Sequence, residues 1–184
     1  MAFFLDIFHG TMVVKGVVMK VTEKIERRFL LKEIPYDLEN QECINIKQGY
    51  LNIDPEVRLK KADNEYSLMK RVRNGLVKID NEQLILEESF NELFKSIKTN
   101  IIEKKRYHLN LDDGKVAVLD AYQQNLEGLY IIKVKFDNEL DAKEFEIPSW
   151  FDDEVTFNKF YKSKNLAIID FVDVQDKIKK LVLY

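Results

Sequence analysis

From residue 20 onward, apolar and polar residues alternate with a period of two in seven segments: 22–31, 56–61, 65–73, 76–86, 101–111, 115–123 and 128–137. A period of two sends successive side chains to opposite faces of a strand, so each segment is expected to hold one face in an apolar layer and the other in a polar one. Asn64, Asn74-Gly75, Asp113-Gly114 and Glu127-Gly128 fall between consecutive segments, and Asn-Gly is the strongest short hairpin signal. Consecutive hairpins make the sheet antiparallel. The spacing turns helical at 87–98, where Phe90, Leu93, Phe94 and Ile97 follow the i, i+3, i+4, i+7 rule, weakly at 139–145, and again at 173–182 with Val174, Ile178 and Leu181. These helices are expected to pack against the outside of the sheet.

The polar face is ionic rather than merely hydrophilic. It holds Glu56, Arg58 and Lys60 in one segment, Lys78, Asp80 and Glu82 in another, Lys104, Arg106 and His108 in a third, and Lys133 and Lys135 in a fourth. A solvated outer face would explain alternation alone. Seven strands with helices to cover their apolar face instead describe a closed antiparallel β-barrel with an ionic interior, of α+β class.

Composition narrows the function. The 184 residues fit one core, and 46% hydrophobic content argues against disorder. The 29 Lys and Arg against 32 Asp and Glu give a net charge of −3, which excludes a globally basic DNA-binding surface. The single cysteine, Cys43, excludes an internal disulfide and reads as a small semi-buried residue, in keeping with a reducing, cytoplasmic location. Residues 1–18 lack a basic start before their apolar stretch and are broken by Asp6, His9, Gly10 and Lys15, so neither a signal peptide nor a membrane span is expected. Residues 1–21 read as an extension, 22–169 as the barrel domain and 170–184 as a helical tail. His108 shares the cationic parity and reads as a rim residue.

Seven motifs then carry a resemblance. Lys24-Ile-Glu-Arg-Arg-Phe-Leu-Leu, Ile46-Lys-Gln-Gly-Tyr-Leu, Val57-Arg-Leu-Lys, Lys78-x-Asp80-x-Glu82, Glu103-Lys-Lys-Arg-Tyr, Trp150-Phe-Asp-Asp-Glu-Val-Thr and Tyr161-Lys-Ser-Lys-Asn-Leu-Ala fall in the order seen in the CYTH superfamily, the triphosphate tunnel metalloenzymes. The chain resembles that family over about residues 22–168. The resemblance implies an eight-stranded tunnel in which basic side chains grip a triphosphate and acidic ones hold Mg²⁺ or Mn²⁺. Arg28, Arg58, Lys60, Arg71, Lys78, Lys104, Arg106 and Lys162 match the phosphate-gripping positions. Glu26, Asp80, Glu82 and Asp120 match metal positions, and Glu26 with Arg28 would act in catalysis.

The match to the family's acidic positions is incomplete. The resemblance puts carboxylates where this sequence has Lys24, Val118, Lys133 and Lys135. Glu23, next to Lys24, would point to the opposite face. The expected lumen then carries four acidic and eleven basic residues, an excess of about +7 that leaves about −10 for the rest of the chain. Like charges in contact repel by roughly 1 kcal/mol even in water, so such a lumen is expected to hold an anion. Lys133 and Lys135 join the expected substrate-binding set. Two readings stay open. One is a tunnel that binds triphosphate, polyphosphate, a nucleotide or another polyanion, needs no cofactor, and has weak or no catalysis. The other is an inorganic triphosphatase that uses Mg²⁺ or Mn²⁺. A solvated structural β-protein is the bland third. Neither DNA nor a membrane is an expected partner, and since tunnel proteins with covering helices often pair, a homodimer is an assembly the resemblance admits.

Overall fold

A computed structural model describes residues 10–14, 17–34, 37–74, 76–172, 174, 175 and 178. The strands are β1 (Gly10–Val14), β2 (Val17–Leu31), β3 (Ile44–Asn52), β4 (Glu56–Ala62), β5 (Glu65–Asn74), β6 (Val77–Leu84), β7 (Ile102–Asn110), β8 (Val116–Tyr122), β9 (Tyr130–Phe136) and β10 (Phe151–Glu154). Two meanders, β3 to β6 and β7 to β9, join through a β3–β7 pairing. The 15-residue β2 closes the ring: its first half pairs with β6 from Met19↔Gln83 to Ile25↔Val77, its second with β9 from Ile25↔Phe136 to Phe29↔Ile132. Eight strands thus form a closed antiparallel barrel, which removes all edges but those at its rims. β1 folds back on the start of β2, and β10 pairs with its end.

All seven alternating segments are strands, although β2 starts at Val17, earlier than its alternation suggests. β3 supplies the eighth wall. Its inward positions Ile46, Gln48 and Tyr50 and its outward positions Lys47, Gly49 and Leu51 each mix polar with apolar residues, which hides the period of two. Gly49 is required there: a Cβ would lie 2.9 Å from Ile97 and 3.1 Å from Ile101. The β4–β5 hairpin turns at Asp63-Asn64 and the β7–β8 hairpin at Gly114, whose φ of 80° favours glycine. β5 and β6 also form a hairpin, but Gly75 of its turn lies outside the described residues.

The first two helices are shorter than their patterns suggest. Helix α1 (Glu87–Phe94) buries Phe90 between Tyr66 and Phe94, with ring centroids 5.1 and 5.0 Å away. Helix α2 (Glu139–Glu144) starts at Asn138, whose side chain accepts from the Asp141 amide. A short α3 (Ser163–Leu166) has no sequence signal of its own. The stretch 173–182 falls largely outside the described residues, Leu181 included, but Val174 and Ile178 are buried. No helix among the described residues is long and apolar enough to cross a membrane.

The apolar residues form two cores with different jobs. The outward faces of β2, β7, β8 and β9 (Phe29, Leu109, Leu119, Ile132, Val134) are covered by Ala142, Phe145 and Phe151, and Cys43 packs at the margin. The second core occupies inward positions at one end of the barrel: Leu30, Tyr50, Ile102, Tyr122 and Ile131 meet Val155, Leu166, Ala167, Val174 and Ile178. This apolar stopper makes the tunnel blind at that end. It also lowers the local dielectric, which strengthens every charge interaction beside it.

Candidate functional site

Because strand residues alternate in direction, the register fixes which charges enter the lumen. A cavity of about 120 Å³ is lined by Lys24, Glu26, Arg28, Arg58, Lys60, Arg71, Glu82, Lys104, Arg106, Lys133 and Lys135, with Ile46, Gln48, Met69, Val118, His108 and Ser163. His108 is exposed and lies at the mouth, as its rim reading expects. Lys24, Lys133 and Lys135 all face this cavity. Of the expected phosphate-gripping residues, Lys78 is buried just behind the lining, against Glu26. Lys162 precedes α3 and is half-buried; burial lowers its proton affinity, helped by the charges of Arg73 and Arg28.

Of the four expected metal-site carboxylates, Glu26 and Glu82 line the cavity, whereas Asp80 and Asp120 are buried behind cations. Asp120 accepts from Lys104 at 2.8 Å, from Arg106 at 2.7 and 3.0 Å, and from Lys133. Asp80 accepts from Lys24 at 2.9 Å and from Arg71 at 2.5 and 2.7 Å in a bidentate pair. Glu26 is held by Arg28 at 2.7 Å and by Lys78. Glu82 takes bonds from Lys60 at 2.5 Å and Ser67 at 2.8 Å. Among the described residues, no group of three acidic, histidine or cysteine side chains is placed to hold a metal ion.

Two further charges of the inward parity carry no site role in the sequence reading, although Glu56 is named there on the ionic face. Glu56 is buried at the start of β4 and faces Arg58 at 3.8 Å, Arg71 at 3.6 Å and Arg73 at 3.5 Å. Their signal was the parity itself: Glu56 precedes Arg58 by two residues, and Arg73 follows Arg71 by two. One adds an anion and the other a cation, so the excess positive charge is unchanged. Arg71 explains the loose geometry around Glu56. It stands opposite Glu56 on β4 and opposite Asp80 on β6; its Nε and Nη2 donate to Asp80, and Nη1 is left 3.6 Å from Glu56.

The electrostatics follow from this crowding. Burial by itself would raise the carboxyls of Glu26, Asp80 and Asp120, but the charges and donors around them overcome it and hold all three well below the usual carboxylate range. For the lysines burial wins: Lys78 is pushed down to about 6 despite Glu26, and Lys133 to about 8 despite Asp120. Lys104, Lys60 and Lys135 shift in the same direction, with burial the first cause in each. A lumen of this kind gains from any anion that lets its lysines charge fully.

No protein-family model matches the chain. An inorganic triphosphatase from Nitrosomonas europaea is 34% identical over 148 residues, which cover 79% of this chain and 97% of that protein. A crystal structure described as an inorganic triphosphatase superposes with a TM-score of 0.62 at 31% identity over 79% of this chain and 98% of its own. Another, described as a hypothetical protein, gives a TM-score of 0.63 at 31% identity, covering 80% of this chain and 99% of its own. A putative adenylate cyclase from Bacillus halodurans, 13% identical over 82% of this chain and 94% of its own with a TM-score of 0.51, shares the fold.

Proposed function

This chain belongs to the CYTH superfamily of triphosphate tunnel proteins, and on that premise we propose that its lumen binds triphosphate or a related short polyphosphate, with metal-dependent hydrolysis weakened or lost. The observation that carries this reading is the placement of the carboxylates. Asp80 and Asp120 are turned into cation cages, and the cavity they leave is lined mainly by Lys and Arg. A rod of phosphoryl groups offers many acceptor oxygens, and guanidinium and ammonium donors on successive strands can engage it from several sides. A bound Mg²⁺ or Mn²⁺ would supply charge neutralisation and an activated water, and it prefers a shell of oxygen ligands. Among the described residues, only Glu26 and Glu82 present carboxylate to the cavity, and each is already bonded to a lysine. That donor set does not fit a divalent ion held by side chains alone. Lys24, Lys133 and Lys135 supply fixed positive charge instead.

The second reading, an active divalent-metal-dependent inorganic triphosphatase, is favoured by the 34% identity to a protein of that name. Calorimetry and phosphate-release assays separate the two. Binding of inorganic triphosphate is expected in the presence of EDTA and weakens as salt is raised, because exposed charge contacts are screened. Phosphate release with Mg²⁺ or Mn²⁺ stays near background. Strict dependence of binding on a divalent ion, or sustained turnover, would overturn the proposal in favour of the triphosphatase.

A further inference from the structure

Among the described residues the cavity wall carries one sulfur, that of Met69 on β5. The side chain is buried in the wall and borders the cavity of about 120 Å³. A water molecule needs roughly 10–15 Å³ of such space, so hydrogen peroxide, little larger than water, has room beside it.

Two guanidiniums face this sulfur. Arg58 stands directly opposite Met69 in the β4–β5 register, and its Nη2 lies 3.0 Å from Sδ. Arg71, two residues along the same face of β5, places its Nη2 3.9 Å from Sδ. Both arginines have other partners, Asp80 for Arg71 and the Tyr50 hydroxyl for Arg58, yet each keeps a nitrogen on the sulfur. From β6, Glu82 stands opposite Met69, and its carboxylate is taken by Lys60 and Ser67. A guanidinium only donates and a thioether accepts weakly, so both donors are poorly served at this point. In an apolar core a sulfoxide oxygen finds no donor and disrupts packing. Beside Met69 it would meet two charged donors, which form the stronger class of hydrogen bond.

We infer that Met69 is an oxidation site of the lumen: a peroxide entering the cavity converts its thioether to a sulfoxide whose oxygen accepts from Arg58 and Arg71. A sulfur lone pair attacks one oxygen of hydrogen peroxide, the O–O bond breaks, and the proton on the transferred oxygen passes to the departing hydroxide, which leaves as water. Sulfur is oxidised by two electrons and the peroxide is reduced by two. The added oxygen brings no net charge, so the lumen keeps its positive excess while two of its donors are taken. An anion held by those donors then binds more weakly; this consequence rests on the anion-binding reading of the lumen, whereas the modification itself does not.

Peroxide treatment of the folded full chain, followed by quenching and tryptic mass mapping, tests the site. Met69 falls in peptide 62–70, apart from Met1, Met12 and Met19. That peptide is expected to gain one oxygen, and the urea midpoint of the oxidised protein is expected to stay level or rise. Calorimetry should show binding of inorganic triphosphate weakened about tenfold, as for one lost hydrogen bond to a charged group, with its salt dependence unchanged. Met69→Gln, which offers a similar neutral acceptor, should bind as weakly without peroxide, and Met69→Leu should keep its affinity through peroxide treatment. Uptake of oxygen at Met69 only after unfolding in urea would show the sulfur to be out of reach and would overturn the inference. A lower urea midpoint after oxidation, absent in Met69→Leu, would also overturn it, because the arginines would then not be receiving the oxygen. An equal loss of affinity in oxidised Met69→Leu would overturn the effect on binding and place it at another methionine. If folded protein takes up the oxygen with its stability intact but binds no triphosphate in either form, the anion-binding reading fails and the oxidation site stands.

Discussion

Asp120 and Glu56 are both buried carboxylates faced by three cations, yet they are held in opposite ways. Asp120 sits opposite Arg106 in the β7–β8 register, with Lys104 and Lys133 closing from either side, and all three donate to it. Glu56 sits opposite Arg71, but that guanidinium is drawn across to Asp80 on the next strand, and the nearest arginine nitrogens stay 3.5 to 3.8 Å away. The same charge count therefore gives one closed knot and one open one. Cross-strand register places Arg71 between the two carboxylates, and its side-on pair through Nε and Nη2 goes to Asp80 while Nη1 stays 3.6 Å from Glu56. The closed knot ties three strands together through close hydrogen bonds, and the open one leaves Glu56 Oε1 without a partner.

The sharpest way to break this comparison is to remove each carboxylate. Asp120→Asn leaves three buried cations facing one another and is expected to cost about 3–5 kcal/mol in urea unfolding without added anion. Glu56→Gln disturbs one long hydrogen bond, from Arg73 at 3.5 Å, and should cost on the order of 1 kcal/mol. Similar losses at the two sites would show that charge count, not hydrogen-bond geometry, sets their worth. A second change opens the closed knot instead. Lys133→Glu combined with Lys135→Glu removes one donor from Asp120 and puts new carboxylate at the cavity wall, so phosphate release from triphosphate with Mg²⁺ is expected to rise above the wild-type level. No rise, in a variant that keeps its fold, would mean that missing carboxylates are not what limits turnover.

Much of this was readable in the chain because a period of two survives even when both faces of a strand are buried. In β8 the inward Val118, Asp120 and Tyr122 and the outward Ala117, Leu119 and Ala121 are all buried, yet parity still separates lumen from wall. Arg58, Arg106 and Lys133 could be assigned to the ionic interior in that way, whereas Arg28 came from its position in the family motif. Parity says nothing about how far along the axis a residue sits, so the change from charged lumen to apolar stopper between Lys133 and Ile131 was not visible. Nor does it choose among partners: that Arg71 serves Asp80 and not Glu56 depends on side-chain placement across two strands. β3 was masked by its mixed faces, and β10, with four residues, is too short to establish a period.

The smallest expected effect separates the two knots by chemistry, since one is built partly of lysine and the other wholly of arginine, which does not titrate in the accessible range. Lys78 and Lys133 have folded-state values near 6 and 8, below the ordinary 10.5, because they are buried. Between about pH 6 and 10 the unfolded chain therefore binds more protons than the folded one, and stability of the anion-free protein rises with pH. A bound anion restores the proton affinity of these lysines, so stabilisation by triphosphate should shrink over the same window. Urea midpoints at pH 6, 7.5 and 9, at constant ionic strength and with or without triphosphate, check both signs. Lys133→Met is expected to flatten the anion-free rise, whereas Glu56→Gln leaves its slope nearly intact because Arg58, Arg71 and Arg73 stay charged throughout. A midpoint that falls from pH 6 to 9 without anion would mean that Asp120 and Glu26 keep their lysines charged, and the lysine-built knot would then be as fixed in charge as the arginine-built one.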